Sequence, residues 1–175
     1  VQMAQQVAVV GQHPADMFCA QSVREEIGFG PRALGVDDDE VARRVNEMVR
    51  LFDLYDVEDM PAAALSSGEQ RAVALACALV MHAPVLVLDE PAAGLDHRLK
   101  SRLLNTVARM NQEGTTVIIA TEDADLIQRY CSHAARLDQG RLVSYGRVRA
   151  NGRRFLAPPP VQGVLAASNG KGVAR

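Results

Sequence analysis

A chain of 175 residues, 48% hydrophobic and 23% charged, carries enough apolar mass for one domain with a sizeable core and excludes disorder along its whole length. Nineteen basic side chains against 21 acidic ones leave a net charge of −2, so no basic excess argues for nucleic acid. Aromatics at 4% and the absence of Trp argue against a base-stacking platform. The cysteines, Cys19, Cys77 and Cys131, are dispersed and form no C-x-x-C pair, which reads as reduced thiols rather than a zinc site. No apolar stretch reaches the roughly 18–20 residues of a membrane span, and no signal peptide is visible.

In chain order, Gln6 to Gly11 reads as a short buried strand that opens almost at residue 1, so sequence is expected upstream. Asp16 to Gly35 is mixed, punctuated by Gly28, Gly30, Pro31 and Gly35. Asp37 to Glu40 supplies acids for a helix start, and Val41, Val45, Met48, Val49 and Phe52 follow at helical spacing to about Leu54. Val73 to Met81 is apolar nearly all round and predicts a buried central helix. Val85 to Leu88, closed by Asp89-Glu90-Pro91, predicts a parallel strand buried on both faces. A helix from about His97 to Gln112 stops at Gly114, and Thr116 to Ala120 is another buried strand. A short helix around Asp125 to Tyr130 precedes a hairpin, Ala135–Asp138 and Leu142–Tyr145, turning at Gln139-Gly140. Strands alternating with helices give an α/β layered sheet with right-handed crossovers.

Two segments carry candidate chemistry. In open α/β sheets ligands bind beyond the carboxyl ends of the strands, where Asp89 and Glu90 would sit. An Asp there can hold Mg²⁺ beside phosphates, and a Glu can orient or deprotonate a water. The competing reading is a pair of solvated acids ending a strand. Ser66 with Glu69 three residues on fits a helix capping box, which needs no ligand. The same free N–H groups, hydroxyl and small Gly68 would also make a phosphate seat.

Taken together, the motifs resemble those of ATP-binding-cassette (ABC) ATPases. Leu65-Ser66-Ser67-Gly68-Glu69 is similar to the LSGGQ signature, Val85 to Glu90 to the Walker B strand, and Ala93-Gly94-Leu95-Asp96 to the D-loop. Val10-Gly11-Gln12-His13-Pro14 resembles the Q-loop. Val23 to Pro31, followed by Leu34-Gly35, is most like the energy-coupling-factor branch, which imports vitamins and transition-metal ions. The resemblance spans about residues 6 to 146 and implies a P-loop NTPase-like lobe, a mostly parallel sheet with flanking helices, plus a helical signature subdomain, with the N-terminal part missing. It divides the chain into 1–12, a strand end and Q-loop; 13–82, the helical subdomain; 83–146, the Walker B, D-loop and H-loop part of the core; and 147–175, a poorly ordered tail.

The family resemblance also implies a head-to-tail dimer with a second ABC ATPase subunit, a transmembrane transporter partner, no nucleic acid, and a peripheral place on the cytoplasmic face of the membrane. ATP with Mg²⁺ would be bound. Ser66, Ser67 and Gly68 would hold the γ-phosphate of the partner's ATP; Gln12 and Asp89 would meet nucleotide and Mg²⁺ in this chain's own site; Glu90 would be catalytic; Asp96 would lie at the seam.

Three departures stand against that pattern. The phosphate-binding loop G-x-x-x-x-G-K-[ST] is absent, and the one Gly-Lys pair, Gly170-Lys171, is followed by Gly172. The chain is therefore expected to be a fragment of a full subunit, in preference to a truncated gene product, with an incomplete sheet. Glu122 stands where the family places the His of the H-loop; an ionised Glu only accepts hydrogen bonds and adds charge beside a polyanion. Ala72 stands where many members carry Arg, with Arg71 one place earlier. A weak site of its own, serving mainly the partner's site, is the resulting expectation.

Overall fold

A computed structural model describes residues 5–11, 18–148 and 173–174. Its elements are β1 (Val7–Val10), α1 (Val23–Ala33), α2 (Asp38–Phe52), a 3-10 turn (Ala62–Ala64), α3 (Ser67–Leu79), β2 (Val85–Asp89), α4 (His97–Gln112), β3 (Thr116–Ala120), α5 (Ala124–Tyr130), β4 (His133–Asp138), β5 (Arg141–Arg147) and β6 (Val173–Ala174). The sheet order is β1-β2-β3-β6-β4-β5, with every neighbouring pair parallel except the β4–β5 hairpin. The expected α/β architecture is what the chain adopts.

Register explains which side of the sheet is core. Ala8, Leu86 and Val117 align, as do Val10, Leu88 and Ile119, and all six are buried. One residue on in each strand the side chains flip to the other face. There Val7, Val85, Val87 and Ile118 are only half-buried, and Val9 is 54% exposed. Steps from β1 to β2 to β3 all run in one direction across the sheet, so right-handed crossovers place their helices on one side. The expectation that the Val85–Leu88 strand is buried on both faces is corrected accordingly: Leu86 and Leu88 are core, whereas Val85 and Val87 are not.

The sheet is thinnest between β3 and β4. Among the described residues these strands are joined in the sheet through β6, whose two residues pair with Ile118 and Ile119 on one side and with His133 and Ala134 on the other. Val173–Ala174 is therefore a strand within a segment expected to be poorly ordered, and the hairpin runs on to Arg147. Residues 149–172 of that tail, including Gly170-Lys171, and residue 175 lie outside the described residues.

Helix starts follow their caps. The side chains of Ser22, Asp37, Ser66, Asp96 and Asp123 each accept a backbone N–H in the first turn of the helix they precede. The Asp16–Gly35 segment, read as mixed, in fact contains α1, because Ser22 caps it and Glu25 and Glu26 suit its first turn. Its glycine serves packing: a Cβ at Gly30 would lie 2.4 Å from Met81 Sδ, so the bare backbone lets α1 approach the end of α3. Arg71, Ala72, Val73, Leu75, Ala76 and Leu79 are all buried on α3, matching the predicted central helix. No helix among the described residues is long and apolar enough to cross a membrane.

Candidate functional site

The carboxyl ends of β2 and β3 lie side by side, with Asp89 level with Ala120. Glu90, the next residue, has φ 44°, a left-handed conformation uncommon outside glycine, and precedes Pro91. Such a residue costs about 1–3 kcal/mol and persists only where its surroundings determine it. Its N–H donates to the Ala120 carbonyl at 2.8 Å. Its carboxylate accepts from Thr121 Oγ1 at 3.0 Å and from the Glu122 N–H at 2.8 Å. Half-buried Asp89 and Glu90 thus project from the end of the sheet where ligands of α/β folds bind.

Arg71 completes this turn. Buried to 6% exposure on the second turn of α3, it donates from Nη1 to the Gly11 carbonyl at 2.9 Å and from Nη2 to the carbonyls of Asp89 and Glu90. Sequence reasoning noted Arg71 only as displaced by one place and missed this role. The available signal was the one cation of α3, placed directly before its apolar run from Ala72 to Leu79. Thr121, which also holds Glu90, carried no signal in the sequence.

The start of α3 is open to solvent, with Ser66 and Ser67 exposed and Gly68 half-buried. Both hydrogen bonds of the capping box are present. The Ser66 hydroxyl donates to Glu69 Oε2 at 2.5 Å, and the Ser66 N–H donates to the same oxygen at 2.9 Å. These bonds hold the Glu69 carboxyl below its ordinary range, so it is ionised near neutrality. The lowered value means the box stabilises the fold above the ordinary glutamate range and loses that contribution as pH falls through the folded-state value. An anion that took a hydrogen bond from the Ser66 hydroxyl would have to draw it away from Glu69. A Cβ at Gly68 would lie 3.3 Å from the Gly94 carbonyl, so this turn packs closely against the Ala93–Asp96 loop.

Asp96 is exposed and caps α4, accepting the Leu99 N–H at 2.8 Å. Glu122 is exposed too, and its amide rather than its side chain supports Glu90. Asp123 caps α5 and pairs with Lys100, whose hydrogen bond holds its carboxyl below the usual range. Gln12 lies outside the described residues. His133 stacks on Tyr145 at 5.9 Å and sits level with Ile118, back from the end of β3. Burial pushes the thiols of Cys77 and Cys131 up to about 12, so both stay protonated and unreactive.

Mg²⁺ is usually bound through one or two carboxylates together with substrate phosphates and water. Asp89 fits that part. Among the described residues no cluster of three or more His, Cys, Asp or Glu could hold a metal ion.

The ABC transporter profile matches residues 1–93. The chain belongs to the ABC transporter ATP-binding family. An ABC transporter ATP-binding protein of Methanothermobacter marburgensis is 38% identical over 146 residues, covering 83% of this chain and 52% of the relative. The energy-coupling factor transporter ATP-binding protein EcfA of Methanocaldococcus jannaschii is 36% identical over 146 residues, again 83% and 52%. Among solved structures, cbiO1 of Clostridium perfringens, part of the ABC transporter complex cbiONQ, is 32% identical with a TM-score of 0.67, covering 83% of this chain and 59% of that one. An ATP-binding subunit of an ABC transporter superimposes with a TM-score of 0.75 at 25% identity, covering 82% and 60%. The chain spans about half the length of the curated relatives it matches.

Proposed function

We propose that this chain is the signature-bearing part of an ATP-binding subunit of an ABC transporter, of the energy-coupling-factor type that imports a metal ion or vitamin. The observation that carries the reading is the solvent-open helix start at Ser66–Gly68, tied through Arg71 of the same helix to the half-buried Asp89–Glu90 strand end. Helix N-termini seat phosphate through free N–H groups and the dipole. In a head-to-tail dimer with a second ABC ATPase subunit, Ser66, Ser67 and Gly68 meet the partner's γ-phosphate, with Asp96 at the seam. Asp89 and Gln12 hold Mg²⁺ with this chain's own ATP, and Mg²⁺ supplies charge neutralisation of the phosphates. Glu90, fixed by Thr121 and the Glu122 amide, orients the attacking water. A transmembrane subunit anchors the pair to the cytoplasmic face of the membrane; nucleic acid has no part.

The exposed carboxylate of Glu122 favours a second reading, in which the cassette completes the partner's ATP site and turns over little at its own. Both readings are tested in the complete polypeptide carrying a phosphate-binding loop, assembled with its ATPase and membrane partners. The expected result is Mg-ATP binding and hydrolysis by the assembly; neither binding nor hydrolysis would reject the transporter function.

A further inference from the structure

Nη2 of Arg71 donates to the carbonyls of Asp89 and Glu90 together. Those carbonyls belong to the two peptide units that flank the Glu90 Cα. Pointing both at one nitrogen fixes φ and ψ of Glu90 jointly, and the result is the left-handed twist at 44°. That twist turns the carboxylate toward β3, where Thr121 Oγ1 and the Glu122 N–H receive it. The guanidinium's other arm holds the Gly11 carbonyl, the last described residue before Gln12. Arg71 lies five residues beyond Ser66 on the same helix, after the turn that packs on Gly94. A planar fork of fixed geometry ties one helix to the ends of two strands, which a flexible ammonium could not do.

We propose that Arg71 is a positioning residue that sets the Glu90 carboxylate and makes its placement depend on where α3 sits. The role rests on the function proposed above for Ser66–Gly68 and Glu90. Through Arg71, a displacement of the α3 start on meeting the partner's nucleotide reaches both carbonyls around Glu90. The two ends of the lobe that face different ATP molecules are thereby mechanically linked.

The test needs no nucleotide, so its outcome is separate from that of the ATPase reading. Residue-resolved amide exchange is measured on the complete polypeptide for the wild type, Arg71→Met and Arg71→Lys. In Arg71→Met the amides of Glu90 and Glu122 are expected to exchange at least tenfold faster, while those of Leu75 to Leu79 within α3 stay within twofold. Arg71→Lys keeps the charge without the fork and is expected to fall between. Unchanged exchange at Glu122 in Arg71→Met would overturn the proposal, as would an equal rise throughout α3, which marks general loosening. If Arg71→Met does not fold, Arg71→Lys alone decides: wild-type exchange at Glu122 contradicts the role.

Discussion

Replacing Glu122 with His in the complete polypeptide is expected to raise ATP turnover at this subunit's own site by tenfold or more. Glu122 adds a negative charge at the strand end that would face the triphosphate, while its backbone amide, not its side chain, holds Glu90. Two unit charges about 4 Å apart repel by roughly 4 kcal/mol at an effective dielectric near 20, and about 1.4 kcal/mol is a factor of ten in rate. Glu122 is exposed, so water screens much of that energy, and the expected gain is set near the lower figure. An imidazole also supplies a donor that a carboxylate lacks. The bond to Glu90 runs from the Glu122 backbone and survives the exchange, so the substitution alters charge without releasing Glu90. Steady-state hydrolysis, with the partner's own site inactivated, measures the effect; an unchanged rate would show that the Glu122 side chain plays no part in turnover.

Ser66→Arg is expected to lower turnover of the partner's site at least a hundredfold in a mixed dimer. Arg in place of Ser66 removes the cap of α3 and fills the exposed turn that would face the phosphate. Loss of the cap costs about 1 kcal/mol, too little to unfold the lobe, so the larger effect reports the contact with nucleotide. Glu90→Gln in the same chain removes only this subunit's minor share and should cost less than half of the total rate. The reverse pattern, with Glu90→Gln the damaging change, would reject the assignment of this chain to its partner's site.

Much of this arrangement was legible in the residues. The strands around Leu88 and Ile119, the helix from His97 to Gln112 and the capping box at Ser66 follow from periodicity and caps, which are local. What was not legible depends on neighbours distant in sequence. Val85 and Val87 read as buried because a continuous apolar run cannot tell whether both faces of a sheet are covered. Gly30 reads as a breaker because its close neighbour, Met81 just beyond the end of α3, is distant in sequence. Arg71 was passed over for the same reason. The carbonyls of Gly11, Asp89 and Glu90 that it binds lie 18 to 60 residues away, and backbone acceptors have no sequence signature.

The contact between the Ser66–Gly68 turn and a neighbour's triphosphate is tested most directly by amide exchange of the assembled pair with and without Mg²⁺ and a non-hydrolysable ATP analogue. The account predicts that the amides of Ser67 and Gly68 become protected only when nucleotide and partner are both present. Exchange at those two amides that stays the same under every condition would contradict it.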